Sequence, residues 1–447
     1  MAGGGDNNAL LSAPTWAIAL TCAVFVTLSL TIERIIHRIG KKLSKNEEYY
    51  GALLSAFNKM KDELFMVGIL SISLSMGQNA FSNICIPAEV YRFKPVCQIH
   101  LEDNQKEIEE SMACSKGKVH FMTTTGLHSL HILVFILAAF HILYTAMMVV
   151  LGTLEVRRWR AWEASAEEKS TAALRLVKET TFVRTRGGIP CSDKLIVSYV
   201  VSFFKQFYKW RICKSDYVTF RSGFIKYHCP SYPEFNFHKV IMRSFVADCK
   251  RVVGVGWKLW AYAIFWVLIN VNGWQKSWIV YTVPLLVVLL VGAYMQQIIT
   301  NMANKIRFKQ SVVEGAPIVL PDSRNFGCGG PRVILKCFHW IVFQNALTTT
   351  VPIWASITFD SYSCIYDSPG ILAGAIAVGL IVPIYLGVFI LPVYALVSQM
   401  GSQLKETVFS AQVNLGLSRW RNRKLQYTQT SDETDTVNLS QLDAVPI

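Results

Sequence analysis

Acidic residues are scarce in this chain of 447 residues: 30 Asp and Glu stand against 44 Lys and Arg, for a net charge of +14. Charged residues of both signs make up only 17%, well under the roughly one quarter of a typical soluble domain. There is no G-x-x-x-x-G-K-[ST] phosphate loop, no G-x-G-x-x-G after a strand and no nucleophile–base signature, so nothing in the chain reads as an enzyme. No CxxC pair and no zinc-type spacing occurs, which removes a structural metal site. Nucleic-acid motifs are also missing, so the basic excess needs another explanation. The N-terminus MAGGGDNNALLSAP lacks the basic n-region of a signal peptide, and Ala2 excludes N-myristoylation. No internal repeat is present.

Apolar residues, by contrast, are 52% of the chain, a balance that belongs to a polytopic membrane protein. About 20 apolar residues cross a bilayer as a helix. Seven stretches meet or approach this, at 14–36, 64–80, 129–152, 252–271, 278–299, 333–358 and 370–398. Lys and Arg assign the orientation, because they accumulate on the cytosolic side. The segment 153–251 alone holds nineteen, whereas 81–127, 272–277 and 359–369 together hold six, against eight acidic residues. The fold class expected is therefore all-α, with seven transmembrane helices, the N-terminus (1–13) outside and the C-terminus cytosolic. The membrane domain covers 14–399, with an extracellular loop at 81–127 and a large cytosolic loop at 153–251. Within that loop LIVSYVVSFFKQFYKWRICKSDYVTF has helical spacing but is interrupted by Lys205, Lys209, Arg211 and Lys214. It reads as an amphipathic helix on the inner leaflet.

Four of the eleven cysteines fall outside: Cys85, Cys97, Cys114 and Cys364. An even number in an oxidising compartment predicts two disulfides, and the three possible pairings stay open. Past the last span, 400–425 is amphipathic. Phe409, Val413, Leu417 and Trp420 share one helical face, and Arg421, Arg423 and Lys424 end it. A basic helix with a Trp beside a membrane exit is either a membrane-surface helix in contact with lipids or a calmodulin target. The polar tail 426–447 is expected to be disordered.

The stretches SNICIP at 82–87, GLHSLHILVFILAAFHILY at 126–144, RRWRAWE at 157–163, KSDYVTFRSGFI at 214–225, FNFHKVI at 235–241, IITNMA at 298–303, FQNAL at 343–347 and LPVYALVSQMGS at 391–402 stand out. Together, in this order and spacing, they resemble the plant Mlo (mildew resistance locus O) family. The resemblance covers nearly all of 14–425. It implies a multi-pass plasma-membrane protein with two outer disulfides and a calmodulin-binding helix in which Leu417 and Trp420 match the family's Leu-x-x-Trp. It further implies a calcium-permeable channel in plant cell signalling and in susceptibility to fungal pathogens, acting with receptor-like kinases. Calcium enters both as permeant ion and through calmodulin, and no covalent cofactor is expected. Gly416 and the short basic run depart from the family's helix, and Tyr294-Met295-Gln296-Gln297 and Thr348 replace residues that are commonly charged or polar there.

Ionisable and amide groups inside spans are costly and so are functional candidates. Glu33, His128, His131, His141, Gln344 and Asn345 are the pore or gating candidates in this chain. Calcium prefers oxygen ligands, which singles out Glu33, Gln344, Asn345, Thr348 and backbone carbonyls. The competing reading is a non-conducting, receptor-like seven-span scaffold that recruits calmodulin and trafficking partners, and either reading admits a homo-oligomer.

Overall fold

The computed structural model describes residues 15–45, 47–87, 113–115, 118–167, 174–176, 180–187, 195–208, 211–230, 235–269, 278–307, 312–314, 317–327, 330–358 and 369–401. The 402–425 segment, with Phe409, Val413, Leu417, Trp420, Arg421 and Lys424, lies outside the described residues, as do Cys97 and Cys364.

Apolar runs form helices because a helix satisfies its own backbone groups where no water is available. Helices α1 (Thr15–Ser44) and α2 (Glu47–Ser82) each extend well beyond the apolar run they contain. Three short antiparallel strands follow: β1 (Cys85–Pro87), β2 (Ala113–Ser115) and β3 (Lys118–His120), with β3 in the centre. Helix α3 (Thr124–Arg158) starts at Thr123, whose hydroxyl accepts from the Gly126 N–H at 3.0 Å. Its 35 residues span about 50 Å, so it crosses the apolar layer and projects beyond it. Helices α4 (Arg160–Glu167), α5 (Thr181–Arg186), α6 (Leu195–Tyr208), α7 (Lys214–His228) and α8 (Phe237–Val253) form a polar layer at its basic end. Helices α9 (Trp257–Ile269), α10 (Trp278–Arg307), α11 (Gly330–Thr358) and α12 (Pro369–Tyr385) complete the apolar layer. The last span continues through a π-helical turn, Leu386–Ile390, into α13 (Leu391–Val397) and a 3₁₀ turn, Ser398–Met400.

Three helical stretches, Thr124–Ser165, Tyr281–Arg307 and Leu372–Met400, are long and apolar enough to cross a membrane, and α8 with α9 makes a fourth if that bent pair is one span. The chain is an all-α, polytopic membrane protein. The spans expected at 14–36, 64–80 and 333–358 fall on α1, α2 and α11, none of which is among those stretches. One expected span differs in shape: 252–271 is not a single rod but is broken after Val253, with a 40° bend between α8 and α9. Gly254 and Gly256 flank the break, and glycine is a common site of such kinks.

The polar layer is held by two buried charge clusters. Glu163 accepts from Arg221 Nε at 3.0 Å, from the Phe237 N–H at 3.1 Å and from the Tyr217 hydroxyl. Burial, reinforced by that carboxylate, pushes the Tyr217 phenol up. Arg186 donates to Asp216 Oδ2 at 3.1 and 2.6 Å, to Gln296 Oε1 at 3.2 Å and to the Arg211 carbonyl at 2.7 Å. This pair bolts α5 and α7 to the basic end of α10. Gly223 of α7 lies so close to the Val319 backbone that any Cβ would overlap it.

The amphipathic stretch at 195–220 is two helices rather than one, and α6 is turned inside out. Val197, Val200, Phe204 and Phe207 are exposed, while Ser202, Lys205 and Gln206 are buried. The polar face points inward because it has partners there. Gln297 Oε1 accepts from Ser198 at 2.9 Å and from Ser202 at 2.6 Å, and Lys205 Nζ donates to the Gly187 carbonyl at 3.0 Å. An apolar face outward and a polar face inward suits a helix bathed in lipid.

The chain leaves the last span through a grip. Met400 is fully buried, and its carbonyl accepts from the Asp322 N–H at 3.0 Å. The His228 ring lies against the Gly401 backbone. Asp322 is itself fixed: it accepts from Lys305 Nζ at 3.0 Å and from the Arg324 N–H at 2.9 Å. The Arg324 amide, followed by the Lys305 and Arg324 side chains, holds its carboxyl well below the usual carboxylate range.

Candidate functional site

The polar residues of the apolar layer gather along α11, between α3, α9 and α12. Gln344, Asn345, Thr348, Thr349 and Thr350 are all buried. The threonines satisfy their hydroxyls locally: Thr348 donates to the Gln344 carbonyl at 2.9 Å and Thr349 to the Asn345 carbonyl at 2.8 Å. Such back-bonding lets polar side chains sit in a span at little cost. The amides reach outward. Gln344 Oε1 accepts from the Tyr262 hydroxyl at 2.7 Å, and Asn345 Nδ2 donates to the Gly379 carbonyl at 2.9 Å. At Gly379 only hydrogen fits, since a Cβ would lie 2.5 Å from the Tyr144 hydroxyl and 2.6 Å from Thr349 Oγ1. The glycine therefore lets α12 close onto a polar seam made by α3 and α11.

His141 stands at the other end of this seam. It is 1% exposed, its ring packs against Phe343 at 5.7 Å, and neither ring nitrogen has a partner. Asn345 Oδ1 and His339 Nε2 are likewise unpartnered. A small cavity of about 10 Å³ adjoins His141 and is also lined by Glu63, Val67, Trp260 and Phe343. That is about the room a single water needs. Glu63 is paired with Lys59 at 3.1 Å, and the Lys59–Glu63 pair abuts Gly254 at the break between α8 and α9. The His339 ring lies against the Gly254 backbone. Buried polar atoms without partners are expensive, which makes this corner a candidate for function.

The structure sorts the sequence candidates. His141, Gln344 and Asn345 line one seam. His131 does not join them; its Nε2 lies 2.7 Å from Ser71 Oγ of α2. His128 is exposed near the start of α3, with its ring 6.4 Å from that of His131. Glu33 is exposed on α1, apart from the seam. His339, an ionisable residue at the start of the sixth expected span, joins the site, whereas Glu63, Tyr144 and Tyr262 belong to it without standing out in the sequence. The paired Glu63 reads as an ordinary i,i+4 surface ion pair, and tyrosines in spans read as interface residues. Among the described residues no group of three or more His, Cys, Asp or Glu is arranged to hold a metal.

On the opposite side of the apolar layer, β1 and β2 flank β3, with Cys85 opposite His120 and Cys114 between the residues paired to Val119 and Lys118. Cys85 and Cys114 are thus two strand spacings apart, roughly 9–10 Å, beyond disulfide reach. Free thiols among the described residues are Cys22, Cys213, Cys229, Cys249 and Cys337; Cys85 is not one of them.

Residues 7–445 match the model of the Mlo family. The chain is 35% identical to MLO-like protein 15 of Arabidopsis thaliana over 94% of this chain and 89% of that protein. It is 32% identical to MLO-like protein 5 of the same plant, over 97% and 91%, and 35% identical to MLO-like protein 8, over 91% and 73%. No solved structure matches.

Proposed function

Because the chain belongs to the Mlo family, we propose that it is a seven-span plasma-membrane protein acting as a calmodulin-regulated, calcium-permeable cation channel in plant signalling and in susceptibility to fungal pathogens. The observation that carries the conducting reading is the buried seam of Gln344, Asn345, Thr348 and Thr349 ending at an unpartnered His141. Side-chain and backbone oxygens are what a dehydrating cation needs, and intramembrane polar groups without partners mark ion pathways. In this conformation the seam is closed, so conduction requires α12 or the α8–α9 break to move.

The N-terminus is placed outside and the C-terminus in the cytosol by the Lys and Arg bias. That side of the membrane holds calmodulin, and the 400–425 helix with Leu417 and Trp420 is its target. Two outer disulfides follow from the four outer cysteines. The absence of Cys85 from the free thiols supports them, and the strand order favours Cys97 or Cys364 as its partner. Homo-oligomers and receptor-like kinases are the expected partners in the membrane.

A non-conducting scaffold is the second reading, favoured by the size of the cavity at His141, about 10 Å³. Calcium imaging of the full chain in a non-plant cell separates the two. Entry above background that is abolished by Asn345→Leu supports the channel; no entry with the protein confirmed at the surface refutes it. For calmodulin, a 402–425 peptide should bind in calcium and release in chelator. Leu417→Arg or Trp420→Arg should abolish binding, and equal binding by the variants would overturn the face assignment.

A further inference from the structure

Where α3 leaves the apolar layer, a cavity of about 120 Å³ opens between its last turn, the loop before α7 and the π-helical turn of the last span. Its walls are of two kinds. Val388, Phe389 and Pro392 supply an apolar side that belongs to a membrane span. Glu155, Arg158 and Arg211 supply a charged side, with Trp159 and Trp162 between. The two indoles are stacked, 6.4 Å apart and within 13° of parallel. Arg158 and Arg211 converge on one carboxylate, Glu155 Oε1, at 2.8 and 3.6 Å. Both guanidiniums remain largely exposed, at 62% and 58%, so a phosphate at the cavity mouth can reach them. The net charge of the cavity wall is +1, from two arginines and one glutamate.

We propose that this cavity binds an anionic glycerophospholipid, with the phosphate on Arg158 and Arg211 and an acyl chain along Val388, Phe389 and Pro392. Basic pockets between spans at the polar boundary of a bilayer are suited to anionic head groups, and Trp favours the same depth. Arg presents a planar fork that matches phosphate oxygens. The apolar wall has no use for a free anion, whereas a lipid satisfies both walls at once. The second observation is the π-helical turn itself. Such turns recur at functional sites, and this one places Val388 and Phe389 in the cavity while Gly387 packs on the Met148 backbone of α3. The site is separate from the polar seam and does not depend on ion conduction.

The test uses the full chain in phosphatidylcholine nanodiscs with and without about 5% phosphatidic acid, and native mass spectrometry of the ejected protein. The wild type should retain phosphatidic acid over phosphatidylcholine by about tenfold relative to their abundance. The double variant Arg158→Ala/Arg211→Ala should lose that preference while melting within a few degrees of wild type, because both side chains are exposed and the Arg211 carbonyl that Arg186 uses is kept. Glu155→Gln removes the negative charge that both guanidiniums share and should raise retention several-fold, which separates a binding role from mere misfolding. Equal retention of the two lipids by wild type, unchanged preference in the double variant, or a fall in retention with Glu155→Gln would each overturn the proposal. So would displacement of the lipid by millimolar inorganic phosphate, since that would mark a free-anion site.

Discussion

The Arg186–Asp216 pair offers the sharpest test of how the polar layer is attached to the spans. Both side chains are almost fully buried, at 3% and 1% exposure. Asp216 Oδ2 receives two guanidinium bonds and also the Cys213 N–H at 2.9 Å. Asp216→Asn keeps the shape and the Cys213 cap but leaves Arg186 buried without its counter-charge. Breaking one partner of such a pair costs about 3–5 kcal/mol. At roughly 2–4 °C per kcal/mol for a unit of this size, the purified full chain should melt on the order of 10 °C lower, read by fluorescence-detected size exclusion after heating. Arg186→Met leaves Asp216 charged but still capped, so its cost should be similar or smaller. The double variant should be less damaging than the sum of the two, because no unpaired charge remains. A melting point for Asp216→Asn within about 2 °C of wild type, or strictly additive effects, would show that the pair is not the bolt described above.

Three further outcomes follow from particular contacts. His141→Leu removes two unpartnered buried nitrogens, each of which costs about 1–3 kcal/mol to bury, so it should raise the melting temperature while reducing calcium entry; a fall in both would make His141 structural. Burial holds the His228 imidazole below its ordinary value of 6.5, with the Gly401 backbone opposing. The folded state therefore favours the neutral ring and the unfolded state takes up the extra proton, so this contribution is present above about pH 6.5 and is lost as pH falls below it. Thermal stability should drop more between pH 7.5 and 5.5 for the wild type than for His228→Gln, and parallel pH profiles would remove His228 from that role. Finally, non-reducing peptide mapping should link Cys85 to Cys97 or Cys364; a Cys85–Cys114 peptide would contradict the strand order.

Hydropathy made the spans legible because a membrane imposes one pattern on every segment that crosses it. The stretches at 129–152, 278–299 and 370–398 lie inside α3, α10 and the last span with little to correct. Tertiary contact decided the rest. Gly254 and Gly256 flank the bend between α8 and α9, yet two glycines in an apolar run do not announce a 40° break. The inward polar face of α6 depends on Gln297 nearly 100 positions away, so an amphipathic pattern alone could not say which face meets lipid. At the seam, Gln344, Asn345 and His141 were readable as polar groups inside spans. Glu63 was not, because its pairing with Lys59 hides it in sequence and only the fold brings it to the His141 cavity.

The grip on Met400 and Gly401 also has a consequence for biosynthesis. Asp322 and His228, which hold this turn, are translated well before it, and the turn itself reaches them only after the last span has left the translocon. The polar layer therefore cannot be sealed against the spans until translation has passed residue 401. A chain stopped short of that point has α4 to α8 in full but leaves Asp322 and His228 without the turn they hold.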